Sequence, residues 1–526
     1  MKSSEQVSNQ PNPLENHPEQ ERLHVFHVYN TLSGQKERFK PLEPGKVRMY
    51  VCGPTVYDDA HLGHARCYIT WDVLYRFLLF LGYDVRYARN ITDVDDKILK
   101  RAAENNEPFG ELAERYTQKF HEDMVALNTL SPTDEPKATE AIGEMIRGIE
   151  ALLKKKMAYK TSNGSVYFRA AKKKDYGKLW KQPLEDLKSE ARVEMEAGKE
   201  SPLDFALWKA TAPNDENSWD APWGHGRPGW HLECSAMNHQ LFGAQIDIHA
   251  GGADLIFPHH ENEIAQSEAW TDHTPFSSYW MHNGFVNVSG EKMSKSLGNF
   301  STIRTVLAHY DANTLRYFLL INHYRMPVDF NDEALQGAKN RMVKIHRAFK
   351  EACTVLGLHP DVLKEYPVLD VSQADENPYL KSFLEQMADD LKTPQALAVM
   401  DESIGALNKA IANTPDDLAT IRRVFSQVYS IFTHLGFNSA LCLASESSLS
   451  EEVMTSLNSA YTELVGVSSE SSEPQVMLEK LIELRKEAKA SKNWAQADSI
   501  RDRLGAIGIV LQDKKGGATV WEFSGN

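Results

Sequence analysis

The amino-acid sequence predicts an α/β fold. A parallel-sheet domain with an inserted subdomain comes first, followed by a helical bundle and a small mixed α/β domain at the C-terminus. Three observations carry this. An apolar strand at residues 47–52, a helix pattern from His61 to Leu81 and a second strand pattern at Asp84–Ile91 follow one another at the spacing of a β-α-β unit. Beyond about residue 301 the pattern is almost wholly helical. The chain has 526 residues, 42% hydrophobic and 25% charged, which is globular composition at the length of roughly three or four domains.

Each element has its own signal. Gly53-Pro54-Thr55 breaks the chain after the first strand, and Gly82 stops the long helix. Helices recur to about residue 156. Asn163-Gly164, between Ala158–Lys160 and Val166–Phe168, is a tight type I′ hairpin signal and marks an inserted subdomain. Two lysine runs there, Lys154–Lys156 and Lys172–Lys174, read as solvated surface. A strand fits Gln245–Ala250, and Pro258 suits the first position of a helix. Residues 358–378 read as a loop and the Ser/Glu-rich stretch 443–474 as a linker. After it, 475–508 reads as helices and 509–523 as a hairpin around Gly516-Gly517.

Composition excludes several classes. No apolar run approaches the ~18–20 residues of a membrane span. Residues 1–22 are polar, without the apolar stretch of a signal peptide, and are expected to be a disordered tail. Five cysteines, an odd and sparse number, suit a reducing compartment, and a cytoplasmic location is the expectation. The net charge of −15, from 58 basic and 73 acidic residues, argues against a general DNA-coating protein but leaves room for one local nucleic-acid patch.

Three groups of residues carry chemistry. Cys52, Cys234, His259 and Glu263 are metal donors; His259 and Glu263, four apart on a helix, share a face and can chelate one ion. Two thiolates, an imidazole and a carboxylate suit zinc, although buried structural cysteines fit the same residues, and no CxxC pair exists. Cys67, Cys353 and Cys442 read as structural. His61-Leu62-Gly63-His64 opens a helix after a strand, where two imidazoles and a close-approaching glycine can surround a phosphate at the positive end of the helix dipole. A capping or core histidine is the other reading of that tetrapeptide. Lys292 and Lys295, flanked by small residues in the stretch from Gly290 to Asn299, place two point charges where a breaking phosphoanhydride gains negative charge.

HLGH and KMSKS in this order resemble the two signatures of class I aminoacyl-tRNA synthetases. VCGPTVYDDAHLGHAR, RNITDVDDKI, GRPGWHLECSAMN, DIHAGGADLIFPHHENEIAQSE and MSKSLGNF resemble the cysteinyl-tRNA synthetase family specifically. The likeness runs from about residue 24 to 335 and returns in MADDLKTPQAL and SKNWAQADSIRDRL. It implies a Rossmann-like catalytic domain over 23–330 with an inserted subdomain at about 113–222. A helical tRNA-binding bundle (331–442), the linker and a small anticodon-binding domain (475–526) follow from it too. It also implies one Zn²⁺ on Cys52, Cys234, His259 and Glu263, with Asp254 holding the substrate ammonium and Thr92 and Trp230 lining the amino-acid pocket. Asp254 makes sense there as a buried counter-ion. ATP would lie on His61, Gly63, His64, Lys292 and Lys295, the histidines and lysines acting in catalysis, and Mg²⁺ would arrive with ATP.

The implied activity is ligation of L-cysteine to its tRNA through cysteinyl-adenylate, by a monomer without membrane attachment. Trp494 is a candidate for stacking on RNA, with helix packing the alternative. Two other functions fit the residues: a cysteine ligase with a small amine acceptor, and a zinc-containing RNA-binding protein without catalysis.

Overall fold

The computed structural model describes residues 25–181, 198–212, 215, 217–288, 291–292, 301–359, 363, 365–443, 451–466, 474–513 and 519–523. The chain divides into two compact units, residues 1–439 and 440–526.

The first unit begins with an antiparallel pair, β1 (His27–Asn30) and β2 (Gln35–Arg38). Then β3 (Lys46–Val51), α1 (Leu62–Phe80) and β4 (Asp84–Arg89) form the expected parallel β-α-β unit, with Val47 opposite Val85. Helices α2 (Asp96–Asn105), α3 (Phe109–Ala126) and α4 (Ile142–Lys154) follow. A separate antiparallel sheet comprises β5 (Ala158–Lys160), β6 (Val166–Phe168), β7 (Phe205–Ala210) and β8 (Gly226–Pro228). The chain returns through α5 (Trp230–Phe242), β9 (Ile246–Gly252), α6 (Glu261–Thr271) and β10 (Ser277–Asn283).

The main sheet has the order β10-β9-β3-β4, every neighbouring pair parallel, with Met49 opposite Ile248 and Gly252 opposite Asn283. From β3 the chain moves outward to β4, and from β9 it moves the other way to β10. The order therefore reverses between β3 and β9, and the crevice beyond the carboxyl ends of such a pair is where doubly wound sheets bind ligands. Helix α1 is buried around most of its circumference, which is why its sequence lacks a clean amphipathic stripe.

Further on, β11 (Val286–Val288) pairs with β12 (Glu291–Lys292), and α7 (Ile303–Leu307) and α8 (Ala312–Leu320) lead to β13 (Val328–Phe330), parallel to β11. Helices α9 (Asp332–Leu356), α10 (Pro378–Met387), α11 (Thr393–Asn413) and α12 (Leu418–His434) complete the unit. The second unit holds α13 (Glu451–Val465), α14 (Pro474–Ala490), α15 (Trp494–Ala506) and the hairpin β14 (Ile509–Asp513) with β15 (Thr519–Phe523). Its own core gathers Leu457, Leu478, Leu481, Ile500 and Ile509.

Four sequence expectations need correction. The 158–168 hairpin is not a two-residue turn: the Thr161 N–H donates to the Ser165 carbonyl, and Gly164 takes φ +96°, so three residues make the loop. The Asn163 side chain holds that loop by accepting from Ser165 N–H and the Thr161 hydroxyl. Pro258 does not open a helix; residues 256–260 form a wide turn and α6 starts at Glu261. The stretch 443–474 is not simply a linker, because α13 lies inside it and buries Leu457 and Ala460. The Ser/Glu runs of that stretch, at 445–448 and 468–473, flank this helix and lie outside the described residues, whereas Val453, Leu457, Tyr461 and Leu464 of the helix face the core of the second unit. A short helical turn, Val371–Glu376, lies within the 358–378 loop.

Candidate active site and metal-donor cluster

All four ends of the main sheet's strands contribute to one site. After β3, Cys52 and Gly53 turn beneath the start of α1; Gly53 must be glycine, because a Cβ there would lie 1.5 Å from the Asn90 carbonyl oxygen. Asn90, just after β4, accepts from Gly53 N–H (2.7 Å) and from the Cys234 thiol (3.7 Å), and donates to Thr92 Oγ1 (3.1 Å). Gly252 ends β9 and leads into Ala253–Leu255, and Asn283 ends β10 and leads through Gly284 and Phe285 to Val286. Between them lies a cavity of about 350 Å³ whose lining includes Cys52, His61, His64, Trp230, Asp254 and Asn283.

A buried donor cluster adjoins the cavity at Cys52. Cys52, Cys234, His259 and Glu263 each offer a ligand atom, all within 4.8 Å of one another. The two Sγ atoms are 3.8 Å apart, Cys52 Sγ is 3.7 Å from Glu263 Oε1, and His259 Nε2 is 3.0 Å from the same oxygen. Two bonds of about 2.3 Å at the tetrahedral angle would separate their sulfurs by about 3.8 Å, so the donor set fits zinc in type and spacing. His259 lies in the wide turn before α6 and not in the α-helix, yet it still reaches Glu263.

Around these four stands a second layer that the sequence reading did not single out. His249 Nε2 holds Glu263 Oε2 at 2.9 Å, and His231 Nδ1 meets His259 Nδ1 at 3.1 Å. His260 Nε2 lies 3.3 Å from Cys52 Sγ, while its Nδ1 meets His282 Nε2 at 2.8 Å. Such partners orient ligands and fix imidazole tautomers. Cys52, His249, His260 and Glu263 form a second overlapping donor group.

Charge follows the geometry. Burial pulls His259 down, but the neighbouring Glu263 carboxylate and the Cys234 sulfur prevail and raise it to about 10. Burial likewise pushes Glu263 up, and His249 and His259 overturn this, leaving it at about 2. The hydrogen bond from Cys52 lowers Cys234 to about 6, whereas burial pushes Cys52 itself well up. Burial holds His260 and His231 far down, with neighbouring imidazoles adding to the effect.

At the other end, His61 is the N-cap of α1. Its Nδ1 accepts from Gly63 N–H (3.0 Å), and its own N–H donates to His64 Nδ1 (3.2 Å), a reciprocal capping box. The two rings stack at 3.8 Å. With both Nδ1 atoms accepting, each neutral imidazole carries its proton on Nε2 as a donor. The segment from Ser301 is pinned to this cap: Leu62 N–H donates to Ser301 O and Ile303 N–H to Ala60 O.

Trp230 stacks on His259 at 4.2 Å and lines the cavity at 37% exposure. Asp254 lines it too but is exposed, so the expectation of a buried counter-ion is wrong: the turn at Ala253–Leu255 places it at the rim. Thr92 is buried, outside the cavity lining, and donates to Glu233 (3.2 Å). Lys292 ends β12, and Lys295 lies outside the described residues. Cys67 lines the cavity, whereas Cys353 and Cys442 are buried elsewhere. Trp494, at the start of α15, is exposed.

Fold and site together define a class I tRNA synthetase architecture. The family model for tRNA synthetases class I (C) catalytic domains matches residues 38–340; a DALR domain matches 382–438, and a cysteinyl-tRNA ligase anticodon binding domain matches 477–520. A Mycobacterium tuberculosis methionyl-tRNA synthetase solved with methionyl-adenylate shares the fold at TM-score 0.52 and 17% identity, over 74% of this chain and 89% of its own. Cysteine--tRNA ligases are far nearer in sequence: that of Laribacter hongkongensis is 45% identical across 94% of this chain and 99% of its own, and that of Geobacter sulfurreducens is 45% identical over the same shares. The chain belongs to the cysteine--tRNA ligase family, and its activity is the aminoacylation of tRNA with cysteine. No helix among the described residues is long and apolar enough to cross a membrane.

Proposed function

We propose that cysteine and ATP meet in the cavity between β3 and β9, with the amino acid on the donor cluster and the nucleotide phosphates at the head of α1. The observation that carries this is the common lining: Cys52, His61, His64, Trp230 and Asp254 face one space. Cys52, Cys234, His259 and Glu263 would hold one Zn²⁺, supplying a soft Lewis-acid position that prefers a thiolate to a serine hydroxyl.

The remaining chemistry belongs to this chain's side chains. A cysteine carboxylate is ionised at neutral pH and attacks the α-phosphorus without a general base. Asp254, at the rim, faces the ammonium, and Trp230 closes the side of the amino acid. Thr92 acts from outside the lining, steadying Asn90 and Glu233. His61 and His64 donate from Nε2 to phosphate oxygens, aided by the positive end of α1, while Lys292 and Lys295 stabilise the leaving pyrophosphate. Mg²⁺ accompanies ATP. A terminal ribose hydroxyl of tRNA then displaces AMP. Residues 331–442 and 475–526 hold the tRNA, with Trp494 exposed for stacking, and the enzyme acts as a monomer in the cytoplasm.

Cysteine-dependent ATP–pyrophosphate exchange tests the assignment. Lys295→Ala should slow exchange on the order of 10²–10³-fold with cysteine binding unchanged. An unaltered exchange rate would remove the lysine loop from the reaction.

A further inference from the structure

Arg66 lies two residues beyond His64 on α1, and its side chain is among the largest fully buried ones, 1% exposed. A buried guanidinium ordinarily has a carboxylate partner. Among the described residues Arg66 forms no ion pair. Its Nη atoms donate instead to four backbone carbonyls: Leu319, His323 (2.9 Å), Asn322 (3.4 Å) and Met326 (3.4 Å). Leu319 closes the last turn of α8, whose final carbonyls lack partners within the helix and form the negative end of its dipole. The cation is therefore held by a helix end, and burial pulls its pKa down to about 10.

The segment that Arg66 gathers is braced in turn on the cavity wall. Gly284 N–H donates to Tyr324 O (2.8 Å) and Val328 N–H to Phe285 O (2.9 Å). Contact is so close at Gly284 that a Cβ there would sit 2.5 Å from the Met326 carbonyl carbon and oxygen. Asn283, Gly284, Phe285 and Val286 all line the cavity. Asn283 is buried, donates from Nδ2 to Gly284 O (3.1 Å), and leaves Oδ1 without a hydrogen-bond partner among the described residues. With phosphates at the head of α1 and cysteine on the donor cluster, this wall is left to the nucleoside of ATP.

We propose that Arg66 is a positioning residue for ATP: it ties the HLGH end of α1 to the Asn283–Val286 wall through the end of α8, and so sets the space that the nucleoside fills. This rests on the reading that ATP occupies the cavity. Arg66 touches no substrate; it acts through the 319–326 segment.

The test is pyrophosphate exchange by the full-length enzyme, with separate KM values for ATP and cysteine, alongside thermal melting. Arg66→Lys keeps the charge but loses the planar fork that reaches several carbonyls. It should raise KM for ATP by roughly tenfold or more and leave KM for cysteine within about twofold, since a displacement of about 1 Å can cost as much as 10²-fold. Gly284→Ala pushes on the same contact from the cavity side and should give the same split, which keeps the proposal testable if the arginine variant fails to fold. Unchanged ATP KM in both variants would overturn it. So would a parallel rise of both KM values with a lowered melting temperature, the mark of a merely structural arginine. His64→Asn, run beside them, separates the two readings: if it impairs exchange while Arg66→Lys and Gly284→Ala do not, only the Arg66 assignment falls, and if it too is without effect, the placement of ATP falls with it.

Discussion

The five imidazoles around the donor cluster and the two at the head of α1 are built in opposite ways. His231, His249, His259, His260 and His282 lie within a web of contacts at 2.8–3.3 Å from ring to ring, from ring to carboxylate and, at His260, from ring to the Cys52 sulfur. Burial keeps His231, His260 and His282 neutral at physiological pH, and only His259 among the shifted rings is raised, by Glu263 and Cys234. His61 and His64 sit half-buried on a helix end, oriented by backbone groups and by stacking on each other. The contrast suits the tasks proposed for them. Discrimination between sulfur and oxygen needs a dry site whose donors cannot rearrange, whereas phosphate binding needs accessible donors at a positive helix end.

The largest effect should come from breaking the dry side. Cys234→Ser removes a soft ligand, and cysteine activation should fall on the order of 10³-fold or more while nucleotide affinity changes little. Measured zinc content should fall with it; retention of both metal and activity would show that the two regions do not divide the work in this way.

A change one layer out sharpens the comparison. His249→Ala leaves all four donors present but frees Glu263 Oε2 from its 2.9 Å partner. Metal affinity, read by competition with a chromophoric chelator, should drop about 10–100-fold. No change would demote the surrounding imidazoles to packing.

The smallest effect concerns His434, a half-buried imidazole of α12 outside both groups, 4.2 Å from the Phe80 ring and hydrogen-bonded to Leu369 O at 3.0 Å. Burial lowers it to about 4 from 6.5. The unfolded chain therefore takes up this proton first, so stability is complete above about pH 6.5 and declines as pH falls towards 4. His434→Gln should flatten that part of the urea-midpoint profile, a difference of roughly 2 kcal/mol between pH 7 and 5. An identical slope in the variant would mean that other groups carry the acid sensitivity.

The two regions also differ in how far the sequence exposed them. HLGH is contiguous, so its strand–turn–helix setting and its cap were legible directly. The donors Cys52, Cys234, His259 and Glu263 come from the residue after β3, from α5, from the turn before α6 and from α6 itself, and only family resemblance joins them. His231, His249, His260 and Asn90 were invisible because a lone histidine or asparagine in a buried run carries no spacing signal; their roles arise from strand order. Asp254 was misplaced for a related reason: an acidic residue after a strand gives no indication of which side of the turn meets solvent. Proline at 258 resembled a helix start because Glu261 begins a helix three residues later, and the intervening wide turn has no distinct sequence mark. The helix within 443–474 is hidden by its flanks: the Ser/Glu runs on either side dominate the composition of the stretch, although Val453, Leu457, Tyr461 and Leu464 recur at helical spacing between them.

On the proposed function, the buried donor cluster recognises the substrate's sulfur. Replacing the metal with Co²⁺ makes that cluster visible, since sulfur-to-cobalt charge transfer absorbs in the near ultraviolet. Adding L-cysteine to the full-length cobalt enzyme should strengthen and shift this band beyond the contribution of Cys52 and Cys234, and adding L-serine at the same concentration should leave it unchanged. A spectrum indifferent to cysteine, in an enzyme that still activates it, would contradict the account and make the cluster a structural element only.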